Sequence, residues 1–336
     1  MWVSALWKRE YDQSRLFLLF VPVVHFLALG LQRMNKWFFT DPYFVAGNLR
    51  NLKNMTDPIP AAYDFGSFES VGRLWLMLAV FVLALVQIGT ERRNGSQELL
   101  FSLPYSRKII FLHKWMLGAA LLAGSLLINT FIDMVVVPSS PMSPYFSIVY
   151  HLTQLGYSLL LLAAIYTLAL FIGTITGSVA FQVILTIVTL MLPIGLGPLI
   201  TNSLSLHGAI DIAVPSGIGI ELQNTLNISR YLTLSYDDFS WLQVLGLFDL
   251  LIVAFFCGML SYARNRTENN GKLVIFRAWE RAIRILVVLC ASMIIGLFSS
   301  SLFNANERLG YDIGFIAGLV VTTFIMLKIA KLRFKV

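Results

Sequence analysis

Charge is scarce in this sequence. Asp, Glu, Lys and Arg make up 13% of the 336 residues, about half of the roughly 25% carried by a soluble domain. That shortage, with 57% hydrophobic side chains and a mean hydropathy of +0.75, excludes an ordinary soluble globular chain. Cysteine is nearly missing as well. Cys257 and Cys290 both fall inside apolar runs, so a disulfide framework and a Cys-based metal site are not expected, and each reads as a small buried apolar side chain. No G-x-x-x-x-G-K-[ST] occurs, which excludes ATP hydrolysis through a P-loop. The nearest fragment, Asn270-Gly271-Lys272-Leu273, lacks the first glycine and the hydroxyl residue. There is no H-E-x-x-H and no G-x-S-x-G, and Asp237-Asp238 stands alone. Neither a catalytic constellation nor a metal-ligand cluster can be assigned, and no bound cofactor is expected.

What is present is a series of long apolar runs, several of them near or beyond the ~18–20 residues that cross a bilayer core. The expectation is an all-α polytopic membrane protein, since a transmembrane barrel would show short alternating segments. Eight spans are predicted, at about 16–32, 71–90, 109–137, 146–172, 179–199, 241–263, 283–303 and 311–327. Pro22 should kink the first, and Pro193 with the glycines of IGLGP (Ile194–Pro198) should bend the fifth. Only GTITGS separates the fourth from the fifth, the length of a tight helical hairpin.

The leader, residues 1–15, carries Lys8, Arg9 and Arg15 but also Glu10 and Asp12, and is long for the charged region of a signal peptide. Trp2, Ala5, Leu6 and Arg9 recur at helical spacing, so the leader reads as a helix on the cytoplasmic surface that feeds an uncleaved first span. With the N-terminus inside, 18 of the 25 Lys and Arg residues fall on the inner side and 7 on the outer. This asymmetry places both termini in the cytoplasm. The outer segments 33–70 and 200–240 are longer than tight connections need. They read as loops that cap helix ends, gate a pathway or meet an outer partner.

Ionisable residues inside spans are costly and raise functional questions. Asp249 lies near the middle of the sixth span and Asp133 toward the outer end of the third. Asp249 could serve interhelix packing, line a pathway or relay protons. His25 and His151 sit in or near spans, and Asn129, Thr130 and Gln182 are candidate interhelical hydrogen-bond partners.

The stretch GTERRNGSQELLFSLPYSRKIIFLHKW, from Gly89 to Trp115, packs charge, a glycine, an amphipathic patch and a proline between two spans. Asn94 with Gln97 three residues on has the spacing of a capping box. Leu99, Leu100 and Leu103 fall on one helical face, Pro104 stops the helix, and Ser106 can cap the third span. The expected product is a rigid helix of about ten residues, roughly 15 Å long. Such a helix either passes force from a soluble subunit to the second and third spans or tucks its leucines into lipid headgroups. The basic segment 264–284 leaves a similar choice between headgroup contact and partner contact.

The run Glu91, Gly95, Ser96, Glu98, Leu99, Leu100, Ser102, Leu103, Pro104, Ser106, Arg107 resembles the first cytoplasmic loop of ABC-2-type transporter permeases. That loop reads Glu, three residues, Gly-Thr, then Glu-Leu-Leu-x-Ser-x-Pro-x-Ser-Arg; Ser96 stands here for the usual threonine. The resemblance implies that these residues form a coupling helix seated in a cleft of an ATP-binding subunit. The leader with Lys8-Arg9-Glu10 is similar to the family's interfacial helix. A second segment, YARNRTENNGKLVIF, resembles part of a Firmicute subgroup associated with cell-envelope-stress and acetoin operons. Tyr262, Glu268, Gly271 and Phe276 match, and Arg264 and Arg266 flank Asn265 where the subgroup has arginine. This implies a second cytoplasmic contact at Arg264, Arg266, Glu268 and Gly271.

The resemblance thus implies a permease subunit in the cytoplasmic membrane, not itself an enzyme, whose P-loop partner brings ATP and Mg²⁺. A second permease chain, identical or different, completes the pathway. Export of a hydrophobic or amphipathic substrate such as a peptide, lipid-like molecule or antibiotic is the expected activity. The alternatives are an ion-coupled secondary transporter using Asp249 and Asp133, and a membrane sensor or scaffold subunit that moves nothing.

Overall fold

The computed structural model describes residues 2–56, 58–63, 68–208, 241–266, 268, 271–303 and 306–329. In chain order the longer helices are α1 (Trp2–His25), α2 (Pro42–Lys53), α3 (Pro58–Tyr63), α4 (Phe68–Ala84), α5 (Ser96–Ser102), α6 (Arg107–Val136), α7 (Ile148–Ile175), α8 (Val179–Leu206), α9 (Trp241–Ala263), α10 (Arg277–Leu302) and α11 (Glu307–Ile329). Among the described residues there is no strand, only one isolated antiparallel bridge. The protein is an all-α polytopic membrane chain. It divides into two compact units, Met1–Gly173 with Ser229–Arg264, and Thr174–Ile228 with Asn265–Val336.

Among the described residues six helices are long and apolar enough to cross a bilayer, namely Gly72–Arg93, Arg107–Ser139, Ile148–Ile175, Trp241–Ala263, Arg277–Leu302 and Glu307–Lys328. Val179–Leu192 and Gly195–Leu206 make a seventh if counted as one span bent by 47°. The bend falls at Pro193, where the missing N–H breaks the hydrogen-bond ladder. The expected first span is not among these. Leu16–Leu31 is sixteen residues of apolar sequence, about 24 Å of helix, short of the ~30 Å hydrocarbon core. It grows directly out of the charged leader as one winding, which loosens into π turns at Phe26–Gly30 and Asn35–Phe39.

In the first unit, α1 packs against α6 and α4. The outer segment predicted as a loop at 33–70 is instead helical where described. Asp41 Oδ1 accepts from the Tyr43 amide at 2.9 Å and Pro42 opens α2, a cap followed by a residue whose φ is already set for a helix. Val45 and Leu52 of α2 and Ala62 of α3 bury with Trp37, Val137, Met142 and Tyr150, forming a small apolar core outside the spans.

In the second unit Ser178 accepts from the Phe181 amide at 3.3 Å and starts α8. Residues 175–177 pair antiparallel with 271–275, through Ile275 N to Ile175 O at 2.8 Å and Gly271 N to Gly177 O at 2.9 Å. The α10–α11 hairpin is a ladder of small residues. A methyl at Gly314 would lie 2.3 Å from Ser299 Oγ, and one at Gly296 would lie 2.9 Å from the Tyr311 ring. Such close backbone approach is how helices gain packing where lipid supplies no hydrophobic drive. The predicted outer segment 200–240 keeps its start inside α8, which runs on to Leu206; residues 209–240 lie outside the described residues.

Candidate functional site

The motif stretch folds as a short hook. α4 widens into a π turn at Leu85–Gly89 and ends at Thr90–Arg93. Gly95 then takes φ +67°, a left-handed conformation that glycine adopts without steric cost, and turns the chain into α5. The helix start therefore differs from the expected capping box. Asn94 closes the preceding turn, its amide donating to Thr90 O at 2.9 Å, and Gly95 occupies the N-cap of α5. α5 is seven residues, about 10 Å, and ends before Pro104. Ser106 Oγ accepts from the Ile109 amide at 3.4 Å and caps α6, as the sequence predicts.

The faces of α5 also differ from expectation. Leu100 and Gln97 are fully buried, whereas Leu99 is 73% exposed and Leu103 39%. Glu98, Ser102, Pro104 and Ser106 are exposed too, and Ser96 is half-buried. Phe101 does what a third leucine was expected to do. Its ring meets Tyr262 of α9 edge-on at 5.5 Å, and the Arg107 guanidinium lies 4.4 Å over it. The spacing of Gln97, Leu100 and Phe101, three and four residues apart, marks the inner face. An apolar reading of leucines alone missed it.

Glu91, read from the motif as a coupling residue, points into the protein. It is 2% exposed, and Lys114 Nζ lies 2.6 Å from its Oε1. The same Nζ reaches Glu10 Oε1 and Oε2 at 3.0 and 2.8 Å. Arg9 closes the cluster with Nη1 at 2.9 Å from Glu10 and Nη2 at 3.1 Å from Glu91. Two cations and two carboxylates balance, which is the condition for burying such charges without a large penalty. Beside them Tyr166 donates to Gln87 Oε1 at 2.5 Å and its hydroxyl lies 3.0 Å from the Lys114 carbonyl, while Gln87 Nε2 donates to that carbonyl at 3.2 Å. Gln13 of α1 donates to Val86 O at 3.1 Å. The leader helix, the end of α4, α6 and α7 are thus fastened together where α5 begins. The signal for Lys114 was a lone cation in an apolar run; nothing in the sequence paired it with Glu10.

The remaining candidates scatter. Asp249 is exposed on α9 and Asp133 half-buried on α6. His25 is buried with Nδ1 3.4 Å from Ser125 Oγ, and Asn129 donates to Ser125 O at 2.9 Å within its own helix. Arg264, Arg266 and Glu268 are exposed, whereas Gly271 is buried at φ +86° in the pairing with Gly177. Among the described residues no three His, Cys, Asp or Glu side chains gather as metal ligands.

No family model and no solved structure matches the chain. It is 22% identical to the probable ABC transporter permease YtrD of Bacillus subtilis (strain 168), over 98% of this chain and 99% of that protein. To the probable ABC transporter permease YtrC of the same organism it is 26% identical, over 68% of this chain and 70% of that one. The chain is thus similar over nearly its whole length to a probable ABC transporter permease, and its six long apolar helices among the described residues fit a multi-pass membrane protein.

Proposed function

We propose that the chain is the membrane subunit of an ABC-2-type exporter, driven through its 91–107 loop by a separate ATP-binding subunit. The observation that carries this reading is the division of α5. Its inner face is held by Leu100 and by the Phe101 contacts to Tyr262 and Arg107, while Glu98, Leu99, Ser102 and Leu103 are left outward. A subunit gripping that outer face would pull on α9 through Phe101 and on α1 and α6 through the Glu91–Lys114–Glu10 cluster. The partner would bring ATP and Mg²⁺, and this chain would hydrolyse nothing itself. With residues 16–32 crossing ahead of the bent pair and the six long helices, both termini would face the cytoplasm, in line with the 18 to 7 division of basic residues.

A second permease chain, identical or different, would lie over α9. Asp249 is exposed near the middle of that span, and a carboxylate facing hydrocarbon is costly. The cargo is a hydrophobic or amphipathic molecule that enters from the bilayer, and the Firmicute envelope-stress subgroup is the closest functional setting.

The test is gentle purification of the tagged chain from its native host, with the bound proteins identified. A stoichiometric P-loop ATPase, lost from an E98A/L99A/L103A variant that still folds, is the expected result. The chain isolated alone and moving solute under an ion gradient would overturn the proposal.

A further inference from the structure

At the basic end of α10 a cavity of about 240 Å³ lies between α8, α10 and α11. Ile184, Leu185 and Val188 of α8, Ile283 and Val287 of α10 and Met326 of α11 wall it. Ile184, Val188 and Val287 are all exposed side chains, so it opens at the helix surface. Its volume is below the roughly 300 Å³ at which pockets for drug-sized ligands begin. It exceeds the ~150 Å³ apolar cavity that stays dry and takes a benzene ring. Such a space suits a flexible hydrocarbon chain rather than a bulky body.

The wall is apolar throughout, and Glu280 and Arg284 border one end through their aliphatic stems, with Arg284 Nη2 donating to Glu280 Oε1 at 2.7 Å beside it. The Nε of the same guanidinium is buried without a hydrogen-bond partner, a donor left over after the ion pair is made. Arg277, Arg281 and Arg284 recur at helical spacing and share one face of α10. Arg277 and Arg281 are exposed and make no ion pair among the described residues. From Glu280 to Val287 is about 10 Å of helix, so the site passes from guanidinium to pure hydrocarbon over a short distance. Guanidinium is the group best matched to phosphate oxygens, through its rigid fork of donors.

We infer that this is a binding site for one anionic phospholipid. Its phosphate accepts from Arg281 and from the part-exposed Arg284 guanidinium, and part of one acyl chain fills the cavity. The inference goes beyond the proposed function and needs only that the chain lies in a membrane. A failure to find an ATPase partner leaves it untouched.

The experiment is native mass spectrometry of the purified, delipidated full chain with phosphatidylglycerol or phosphatidylcholine added at equal concentration. Wild type should retain phosphatidylglycerol in preference to phosphatidylcholine. R281Q/R284Q and the cavity-filling V188W should each lower that retention by about tenfold. E280Q, which removes the competing carboxylate charge beside Arg284, should raise it. Thermal unfolding without lipid identifies any variant that fails to fold, and E280Q then decides the matter. Equal retention of both lipids, or no gain in E280Q, overturns the site. Unchanged retention in a folded R281Q/R284Q or V188W variant overturns it equally, the latter reducing it to a headgroup contact that inorganic phosphate would share.

Discussion

Lys114 Nζ lies 2.6 Å from Glu91 Oε1, with both side chains buried, and 2.8 Å from Oε2 of Glu10, 104 residues earlier in the chain. Removing one partner of a buried pair leaves a charge with no compensation, at a cost of about 3–5 kcal/mol. K114M should therefore destabilise the chain strongly, because it leaves two buried carboxylates sharing the single guanidinium of Arg9. E91Q with K114M should cost less than the two single changes added, with a coupling of about 0.5–3 kcal/mol. Thermal or denaturant unfolding in detergent reads this directly. Simple additivity would mean that the cluster is a set of independent contacts and holds nothing together.

Gly118 sets how closely α7 approaches α6. A methyl there would lie 2.0 Å from the Tyr166 hydroxyl and 2.2 Å from its ring carbon Cζ. G118A must push Tyr166 away and so break its bonds to Gln87 and the Lys114 carbonyl, a change of about 1–3 kcal/mol from overpacking alone. Y166F keeps the ring in place and loses only the hydroxyl, leaving Gln87 Oε1 short of a donor. The expected order of stability is wild type, then Y166F, then G118A. If G118A unfolds no more readily than Y166F, Tyr166 does not fill this space.

The two faces of α5 separate coupling from folding. Leu100 is 1% exposed and Leu99 73%. L100A should cost about 2–5 kcal/mol as a core truncation. L99A/L103A should leave stability within about 0.5 kcal/mol, as surface changes do, while reducing ATP-linked transport and recovery of the ATP-binding subunit. Unfolding curves paired with a transport assay distinguish the two. Equal loss of transport in both variants at matched stability would remove any special role for the outer face.

Much of this was legible in the residues. Length and hydropathy placed the later spans closely: 241–263 was expected and Trp241–Ala263 is observed. Pro193 located the bend and Ser106 the cap, because both act through local backbone chemistry. The misses are of another kind. Which leucine of α5 turns inward depends on where α9 puts Tyr262, and the union of Glu10 with Lys114 depends on how α1 lies across α6. Neither distance is encoded in local spacing. In the sequence the Pro and Asp residues of 33–70 read as turn markers, whereas Pro42–Lys53 and Pro58–Tyr63 are helices. In Asp41-Pro42 the same pair is a helix start. The Gly310, Gly314, Gly318 ladder was present as a small-residue repeat and its close approach to α10 could have been expected from that spacing.

His207 closes α8 next to α11 and should respond to pH. Its Nδ1 lies 2.8 Å from Ser203 O and its Nε2 3.1 Å from Asp312 Oδ1. Both neighbours are acceptors, so only the imidazolium can donate to both at once. The Ser203 carbonyl and then the Asp312 hydrogen bond raise its pKa above the usual 6.5, with Arg308 opposing. A pKa raised on folding stabilises the folded state fully below the unfolded value, and the gain is lost as pH rises through the folded value. The His207 contribution should thus be complete below about pH 6.5 and fade on the alkaline side. D312N should bring the pKa down and flatten the pH dependence of unfolding, and H207N should abolish the His207 part of it. An NMR titration of the labelled imidazole in detergent checks the sign: a midpoint at or below 6.5 would show that the ring does not donate at both nitrogens.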